Sequence, residues 1–425
     1  YFDENVEISQ YPDIPNNEFT RDEILSMLAK EMLDAAELLP ASQSEVGRIH
    51  KYIALAYAAK IKLYQAYQQD ETTHAVTSIN KELLREVVSL CDQVTASNRY
   101  GLLDDFQGLD LVANENGKES VFAIQYSMND GTESAGRINW SNLLNSPGGG
   151  SPYGGDGFFL PSQDLINAYQ TDANGLPDFN YQSKSDYSWA VLNNGVYTLQ
   201  NTTPNVDPRL DFVVGRPTIT WKTYPDKPCE GWVRDKETYG YNCAKRFWVS
   251  PESSDMFNGW PWGASQLNWQ IIRYADILLW KAEALIELNE GNGLETARDL
   301  INQIRNRARN SAYVKDFNDH SKYAANYLVN PYPADVWNQD YARQALRWET
   351  RLEKALEGER FFDLVRWGIV ETTMNKYITA ESDNRIYYAN AHFTGGKDEY
   401  YPVPNNQYGF SGGKYVQNPG YAPFN

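Results

Sequence analysis

Three glutamates spaced four apart, Glu349, Glu353 and Glu357, are the residues of this chain whose type and spacing best suit chemistry. On a helix they share one face. A glycoside hydrolase needs two carboxylates about 5–10 Å apart across a cleft. Their neighbours argue for another role. Arg347, Arg351 and Lys354 are interspersed, and opposite charges at this spacing make an ion-paired or solvated face. No Ser-His-Asp arrangement and no metal-ligand spacing is present, and His totals only 4. No D-x-[DN]-x-[DN]-G loop offers a calcium site. The expectation is a binding protein without catalytic residues, metal or cofactor; a helical glycoside hydrolase is the competing reading.

The glutamates sit in the stretch around which the chain is organised, residues 348–368, W-E-T-R-L-E-K-A-L-E-G-E-R-F-F-D-L-V-R-W-G. Leu352, Ala355 and Leu356 recur at helical spacing, and Gly358 then interrupts the pattern. Phe361, Phe362 and Trp367 follow, flanked by Arg360, Asp363 and Arg366. Large rings beside charges that must stay paired predict a packed junction, with guanidinium groups over aromatic faces.

Rings are the second chemical resource. The chain holds 12 Trp, 30 Tyr and 16 Phe, more than a core needs at a mean hydropathy of −0.60. Some are expected at the surface, and exposed rings stack on sugars or anchor partners. A pyranose has a C–H face that Trp and Tyr bury and a hydroxyl rim that Asn, Asp, Arg and Gln bond. Residues 128–268, rich in Gly, Pro, Asn and Ser, supply both kinds. The foremost stacking candidates are Trp221, Tyr224, Trp232, Trp260 and Trp262, before the helix at 269–288. Trp140, Tyr153, Phe158 and Trp189 come second, with Asp156, Asn258, Arg234 and Asp186 as polar neighbours. The run S-P-G-G-G-S-P-Y-G-G-D-G-F-F lacks G-K-[ST] and is no phosphate loop.

At 425 residues and a net charge of −18, the chain is large enough for a substantial core and too acidic for nucleic acid or an anionic membrane surface. No apolar run is long enough to span a bilayer. The opening Y-F-D-E-N-V-E-I lacks a Met, a basic region and an apolar stretch, and reads as an interior start. Cys91 reads as a small buried residue. Cys229 and Cys243 share one loop-like stretch; bridged, they would close a loop of about 15 residues, and both the bridged and the separate state stay open.

The positioning elements are mainly helical. Thr20 and Glu23 have capping-box spacing for a helix over 20–39 that Pro40 ends. An Ala-rich helix over 48–67 and a third over 80–96 follow, and small residues predict close helix contacts. E-S-V-F-A-I-Q-Y at 119–126 alternates like a strand. One short helix, 161–169, interrupts the loop-rich region. Helices at 269–288 and 294–309 form a clear pair around Gly291 and Gly293, and prolines are expected to keep Y-Y-P-V-P-N-N-Q at 400–407 and Q-N-P-G-Y at 417–421 non-helical. The fold class is therefore mainly α, with tetratricopeptide-like helix pairs over 1–127, a loop-rich ligand-binding part over 128–268, and a helix pair with C-terminal helices and tail over 269–425.

Nine segments in order resemble the SusD/RagB family. They are G-R at 47–48, R-Y-G-L-L-D-D-F at 99–106, K-E-S-V-F-A-I-Q-Y at 118–126 and D-P-R-L at 207–210. R-Y-A-D-I-L-L-W-K-A-E-A-L at 273–285 and I-N-Q-I-R-N-R-A at 301–308 follow, then E-G-E-R-F-F-D-L-V-R-W-G at 357–368, Y-Y-P-V-P at 400–404 and Q-N-P-G-Y at 417–421. The resemblance implies a SusD-like α-α superhelix packed against an irregular ligand-binding half. It implies a non-catalytic glycan-capturing lipoprotein of Bacteroidota, on the extracellular face of the outer membrane. The implied partners are an oligosaccharide and a SusC-like TonB-dependent transporter. Some relatives serve peptide importers, so a RagB-like peptide binder is the alternative. Family members begin with a lipoprotein signal, a lipidated Cys and a first set of helices. This numbering lacks them, so a substantial N-terminal part and its lipid anchor are expected to lie outside it.

Overall fold

The computed structural model describes residues 3–133, 136–140, 145–188, 190–193, 196–199, 204–224, 230–260 and 262–424. Its first helix, α1 (Arg21–Leu38), starts where a capping box demands: the Thr20 hydroxyl accepts from the Glu23 amide and the Glu23 carboxylate accepts from the Thr20 amide at 2.8 Å. The next two are α2 (Lys51–Ala66) and α3 (Lys81–Ala96). Ala54, Ala56, Ala58, Ala59 and Ala66 are buried on α2, which lies between α1 and α3. Side chains this small let three helices approach closely. Leu84, Val87, Leu90, Cys91 and Val94 bury one face of α3, as their spacing predicts.

Three short helices follow, α4 (Gln163–Ala168), α5 (Arg209–Val213) and α6 (Lys236–Tyr239). Long helices then return as α7 (Tyr274–Leu288), α8 (Gly293–Asn310) and α9 (Gln339–Glu353), followed by α10 (Arg360–Arg366), α11 (Val370–Ser382) and α12 (Asn405–Phe410). Helix α12 corrects the expectation that 400–407 is non-helical throughout: Pro404 stands at its N-cap, where a missing N–H costs no helical bond, so the helix starts at Asn405. The array runs α1, α2, α3, α7, α8, with α9 packed on both α7 and α8. Helix α3 thus packs directly on α7, and the loop-rich part is an insertion between two neighbours of the array. Among the described residues no helix is long and apolar enough to cross a membrane.

A two-stranded ribbon ties the neck of that insertion. Strand Ser120–Ile124, expected from its alternation, pairs antiparallel with Trp269–Arg273, from Trp269 opposite Ile124 to Arg273 opposite Ser120. This corrects the expected helix over 269–288. The segment is extended to Arg273 because it has a strand partner upstream, and Ile271 and Ile272 suit a strand. The helix begins only at Tyr274, where the Asp276 carboxylate accepts from the Arg273 amide at 2.7 Å.

The loop-rich part has its own core of rings. Tyr153, Trp221, Trp232 and Trp248 are each at most 3% exposed and pack with Cys243 and Ala244. A part with few long elements has little regular apolar face to bury, and large rings fill that need. Between α9 and α10 the chain turns through Leu356 at φ +66° and Gly358 at φ +86°. No atom would crowd a Cβ at Gly358, so the turn, not space, requires glycine there.

The junction after this turn is built as its composition predicts. Trp367 is 5% exposed, and the guanidinium groups of Arg347, Arg360 and Arg366 lie 5.3, 5.5 and 5.2 Å from its ring centroid. Arg366 also covers Tyr64 and Tyr67 and pairs with Asp363 and Glu283. Phe361 packs against the core around α2, whereas Phe362 is 58% exposed and touches the junction edge-on at Phe361, at 6.0 Å.

Candidate functional site

The glutamates that could have been acid and base are not in a cleft. Glu349 and Glu353 have no exposed surface, and Glu357 is partly buried with its side chain 7% exposed. Glu349 joins Arg209 at 2.6 Å to Arg305 at 3.0 Å. Glu353 accepts from Arg273 at 3.0 Å and from Arg307 at 2.5 Å, and Glu357 accepts from Arg273 and Lys354, each at 2.7 Å. Asp207, Glu119, Asp276 and Asp110 extend the web through Arg209, Arg307, Lys354 and Arg246. Burial by itself would raise the Glu353 and Glu357 carboxyls. Arg307 and Arg273 around the first, and Arg273 and Lys354 around the second, more than offset it and hold both below their ordinary range. They are ionised and out of reach of a substrate. Apart from Lys354, their partners are arginines of other elements rather than the interspersed Arg347 and Arg351. The web fastens α9 to α5, α7, α8 and the strand at 120–124.

Sequence reasoning grouped the tryptophans by composition, and the structure divides them. Trp221 is 0% and Trp232 3% exposed, so neither presents a ring face to a ligand. Trp221 donates Nε1–H to the Tyr153 hydroxyl at 2.9 Å, which donates to the Val249 carbonyl at 2.6 Å. Trp232 packs edge-on to Trp221 at 5.2 Å, and the partly buried Tyr224 lies 6.3 Å from Trp232. Trp221 and Trp232, expected to stack on a ligand, form the support instead, with Tyr224 half-buried at its edge. Buried rings need such partners for their N–H and O–H groups, and here the partners come from distant segments.

Trp140, Trp260 and Trp262 are 46%, 68% and 50% exposed. One backbone frame holds all three. The Phe257 amide donates to the Ala264 carbonyl at 2.9 Å, closing the loop that carries Trp260 and Trp262. Ser265 bridges antiparallel to both Met256 and Asn139, and Asn139 immediately precedes Trp140. Asn139 and Ser265 are buried, so exposed rings stand on a buried footing. The glycine-rich run lies alongside. A Cβ on Gly154 would stand 3.5 Å from Trp262. At Gly149, φ is +58° and a Cβ would come within 1.9 Å of the Gly231 carbonyl, so only glycine lets this run close on the tryptophan core. Phe158, on the same run, is 74% exposed.

A polar cleft of about 280 Å³ adjoins the 257–264 loop. Asn129, Thr132, Glu133, Arg137 and Asn258 line it, with Phe257 on one wall. Asp130 shapes its rim by accepting from the Ser127 hydroxyl at 2.6 Å and from the Thr132 amide at 3.0 Å. Hydrogen bonds from Ser127 and Thr132 hold the Asp130 carboxyl below its usual range. Of the other polar candidates, Arg234 and Asp156 pair at 2.5 Å beside the glycine-rich run. Asp186 goes elsewhere, to a 430 Å³ cleft with Lys236, Glu237, Asn242, Asn384 and Arg385. Beside that cleft Tyr239 and Tyr387, 45% and 49% exposed, face each other at 5.9 Å. Sequence reasoning missed Tyr387 as a surface ring, and no local pattern signals that residues so far apart meet. Trp189 and Cys229, and with Cys229 the question of a bridge to Cys243, lie outside the described residues. Among the described residues no cluster of three or more His, Cys, Asp or Glu could hold a metal.

The arrangement offers ring faces beside donors and acceptors, a design for binding uncharged, hydroxyl-rich molecules. Among curated protein sequences none matches this chain. Solved structures do. A SusD-like carbohydrate-binding protein from Bacteroides fragilis NCTC 9343 is 20% identical, with 95% of this chain and 73% of that one covered at a TM-score of 0.64. A laminarin-binding SusD-like protein is 19% identical, with 94% and 69% covered and a TM-score of 0.59. A surface glycan-binding protein A from Bacteroides fluxus is 20% identical, with 94% and 70% covered and a TM-score of 0.60. These likenesses establish a shared helical superhelix. The SusD family model matches residues 118–421, a span reaching from the ribbon through the junction at Trp367 into the tail, and the chain belongs to the SusD family.

Proposed function

We propose that this protein binds oligosaccharide at the cell surface, without catalysis, by stacking sugar rings on Trp140, Trp260 and Trp262 and bonding their hydroxyls in the adjoining cleft. The observation that carries this reading is the common footing of the three exposed tryptophans at Asn139, Met256 and Ser265. A rigid frame matters because stacking gains little if the rings must first be ordered. Two similar proteins are named for laminarin binding and surface glycan binding, and both support the glycan reading. Delivery to a SusC-like TonB-dependent transporter, at the outer membrane and through a lipid anchor, completes the proposal and rests on family membership.

The test is calorimetry against a panel of neutral oligosaccharides, β-1,3-glucan included, and a panel of peptides. The expected result is binding to one glycan class, lost in the Trp260→Ala/Trp262→Ala double variant. Binding of peptides alone would replace the reading by a RagB-like one. A double variant that binds glycan like the parent would remove the platform as the site.

A further inference from the structure

The 430 Å³ cleft that takes Asp186 is walled by segments far apart in the chain: α4, residues 186–188, α6 with the turn that ends it, and Asn384 and Arg385 after α11. It shares no lining residue with the cleft beside the tryptophan platform. Its volume is that of a small-ligand pocket, about 300–1,000 Å³.

Two open rings meet beside it from different elements. Tyr239 is the last residue of α6, and Tyr387 follows Arg385 by two residues. Their centroids are 5.9 Å apart and their planes 46° apart, so the pair makes a V in which each ring stays about half exposed. Tyr387 is backed by Tyr388 at 4.5 Å, and Tyr388 by Tyr377 at 5.5 Å, with the hydroxyls of that inner pair 3.1 Å apart. Tyr377 and Tyr388 are half-buried, so the outer ring stands on an ordered support. A ring already held in place loses little freedom when a ligand stacks on it.

The polar groups are oriented but not saturated. Arg385 donates from Nη1 to the Asn384 carbonyl at 2.7 Å, and its guanidinium lies against Gly240, where a Cβ would come within 2.2 Å of Nη2. Among the described residues Arg385 has no ion-pair partner, and its Nε and Nη2 make no hydrogen bond. The Asn384 side-chain amide donates to Asp186 Oδ2 at 3.3 Å, and Asp186 Oδ1 accepts from Asn167 at 2.7 Å. That leaves the Asn384 side-chain oxygen and the Glu237 carboxylate as acceptors without a partner among the described residues. Open donors thus stand beside open acceptors, as a ring of hydroxyls requires. Lys236 and Arg385 balance Asp186 and Glu237 in the lining, which selects a ligand without net charge.

We propose that this cleft is a second saccharide site, seating a neutral pyranose with its C–H face on Tyr239 and Tyr387 and its hydroxyls on Arg385, Asn384 and Glu237. The ligand class rests on the glycan reading above, while the site uses no residue of the tryptophan platform. Two sites on one chain give a polymer two footholds, so a glycan long enough to reach both is held more tightly than by either alone.

The experiment is calorimetry with laminaritriose, maltotriose and xylotriose on the parent, the Trp260→Ala/Trp262→Ala variant, Tyr387→Ala, and the platform variant carrying Tyr387→Ala or Arg385→Gln. Urea titrations confirm that each variant is folded. The expected result is two sites for one of the sugars in the parent and one in the platform variant. Adding Tyr387→Ala or Arg385→Gln weakens that remaining site at least about fivefold. A platform variant that binds none of the sugars its parent binds would overturn the proposal and leave the platform as the site. Remaining binding unmoved by both Tyr387→Ala and Arg385→Gln would overturn it too. Loss of all binding in Tyr387→Ala, with the platform variant binding like the parent, would uphold the cleft and overturn the platform. A parent that binds no sugar would remove the cleft and the glycan reading together.

Discussion

Arg209 in α5 donates to Glu349 in α9 at 2.6 Å, and neither side chain has any exposed surface. The pair joins the inserted loop-rich part to the helical array, and Glu349 also holds Arg305. Breaking a buried pair from one side strands the other charge, at about 3–5 kcal/mol. Glu349→Gln keeps the shape and removes the charge. It is expected to lower the free energy of unfolding by that amount in a urea titration, and to leave the glycan affinity of the folded fraction unchanged.

Trp221 and Trp260 are expected to separate stability from binding. Trp221→Ala removes a fully buried ring and its bond to Tyr153, and should cost about 3–5 kcal/mol in a urea titration. Trp260→Ala truncates a ring that is 68% exposed, so its unfolding free energy should stay within about 0.5 kcal/mol of the parent. Its oligosaccharide affinity should fall roughly tenfold by calorimetry, equivalent to about 1.4 kcal/mol. The opposite pattern, a stable Trp221→Ala that no longer binds, would show that the platform lies at the buried core.

At the junction after α9, Trp367 and Phe362 should behave differently although five residues apart. Trp367 lies among three guanidinium groups and donates to Glu283 at 2.9 Å. Trp367→Ala should cost about 3–5 kcal/mol, and Trp367→Phe about 1–3 kcal/mol because Glu283 loses a donor. Phe362→Ala should stay within about 0.5 kcal/mol of the parent. Melting temperatures of the three variants check the order.

Glu115 accepts the Asn268 amide at 2.6 Å, and burial raises its carboxyl from 4.5 to about 7. The folded protein holds this proton more tightly than the unfolded chain does. The stabilisation from the protonated form is therefore complete below the unfolded value and is lost as pH rises through about 7. Glu115→Gln keeps an acceptor and removes the titration. With Glu115 half-buried and screened by solvent, the variant should exceed the parent by about 1 kcal/mol near pH 8 and match it near pH 4. Denaturant midpoints at the two pH values decide it.

Read as a sequence, the chain shows its helices wherever the signal is local. The Thr20–Glu23 capping box, the alanines of α2 and the period of α3 each lie within one element, and the structure follows them. The alternation at 120–124 is local too. What stays hidden depends on partners far along the chain. The extended segment at 269–273 looks helical until Ser120–Ile124 comes beside it. The glutamates of α9 suggest a surface face until Arg209, 140 residues away, buries one of them.

The candidate site divides in the same way. Composition alone determined that the 128–268 region has the rings and polar groups that sugars require, and ordered segments across the chain determined the family. Which rings are open was decided only by the tertiary structure. Trp221 is covered because its indole N–H reaches Tyr153, 68 residues upstream. Trp260 and Trp262 are open because the loop at 257–264 closes on itself above the buried Asn139–Ser265 bridge. Burial depends on what packs against a side chain, and in a region with few regular elements no periodicity along the chain records that partner.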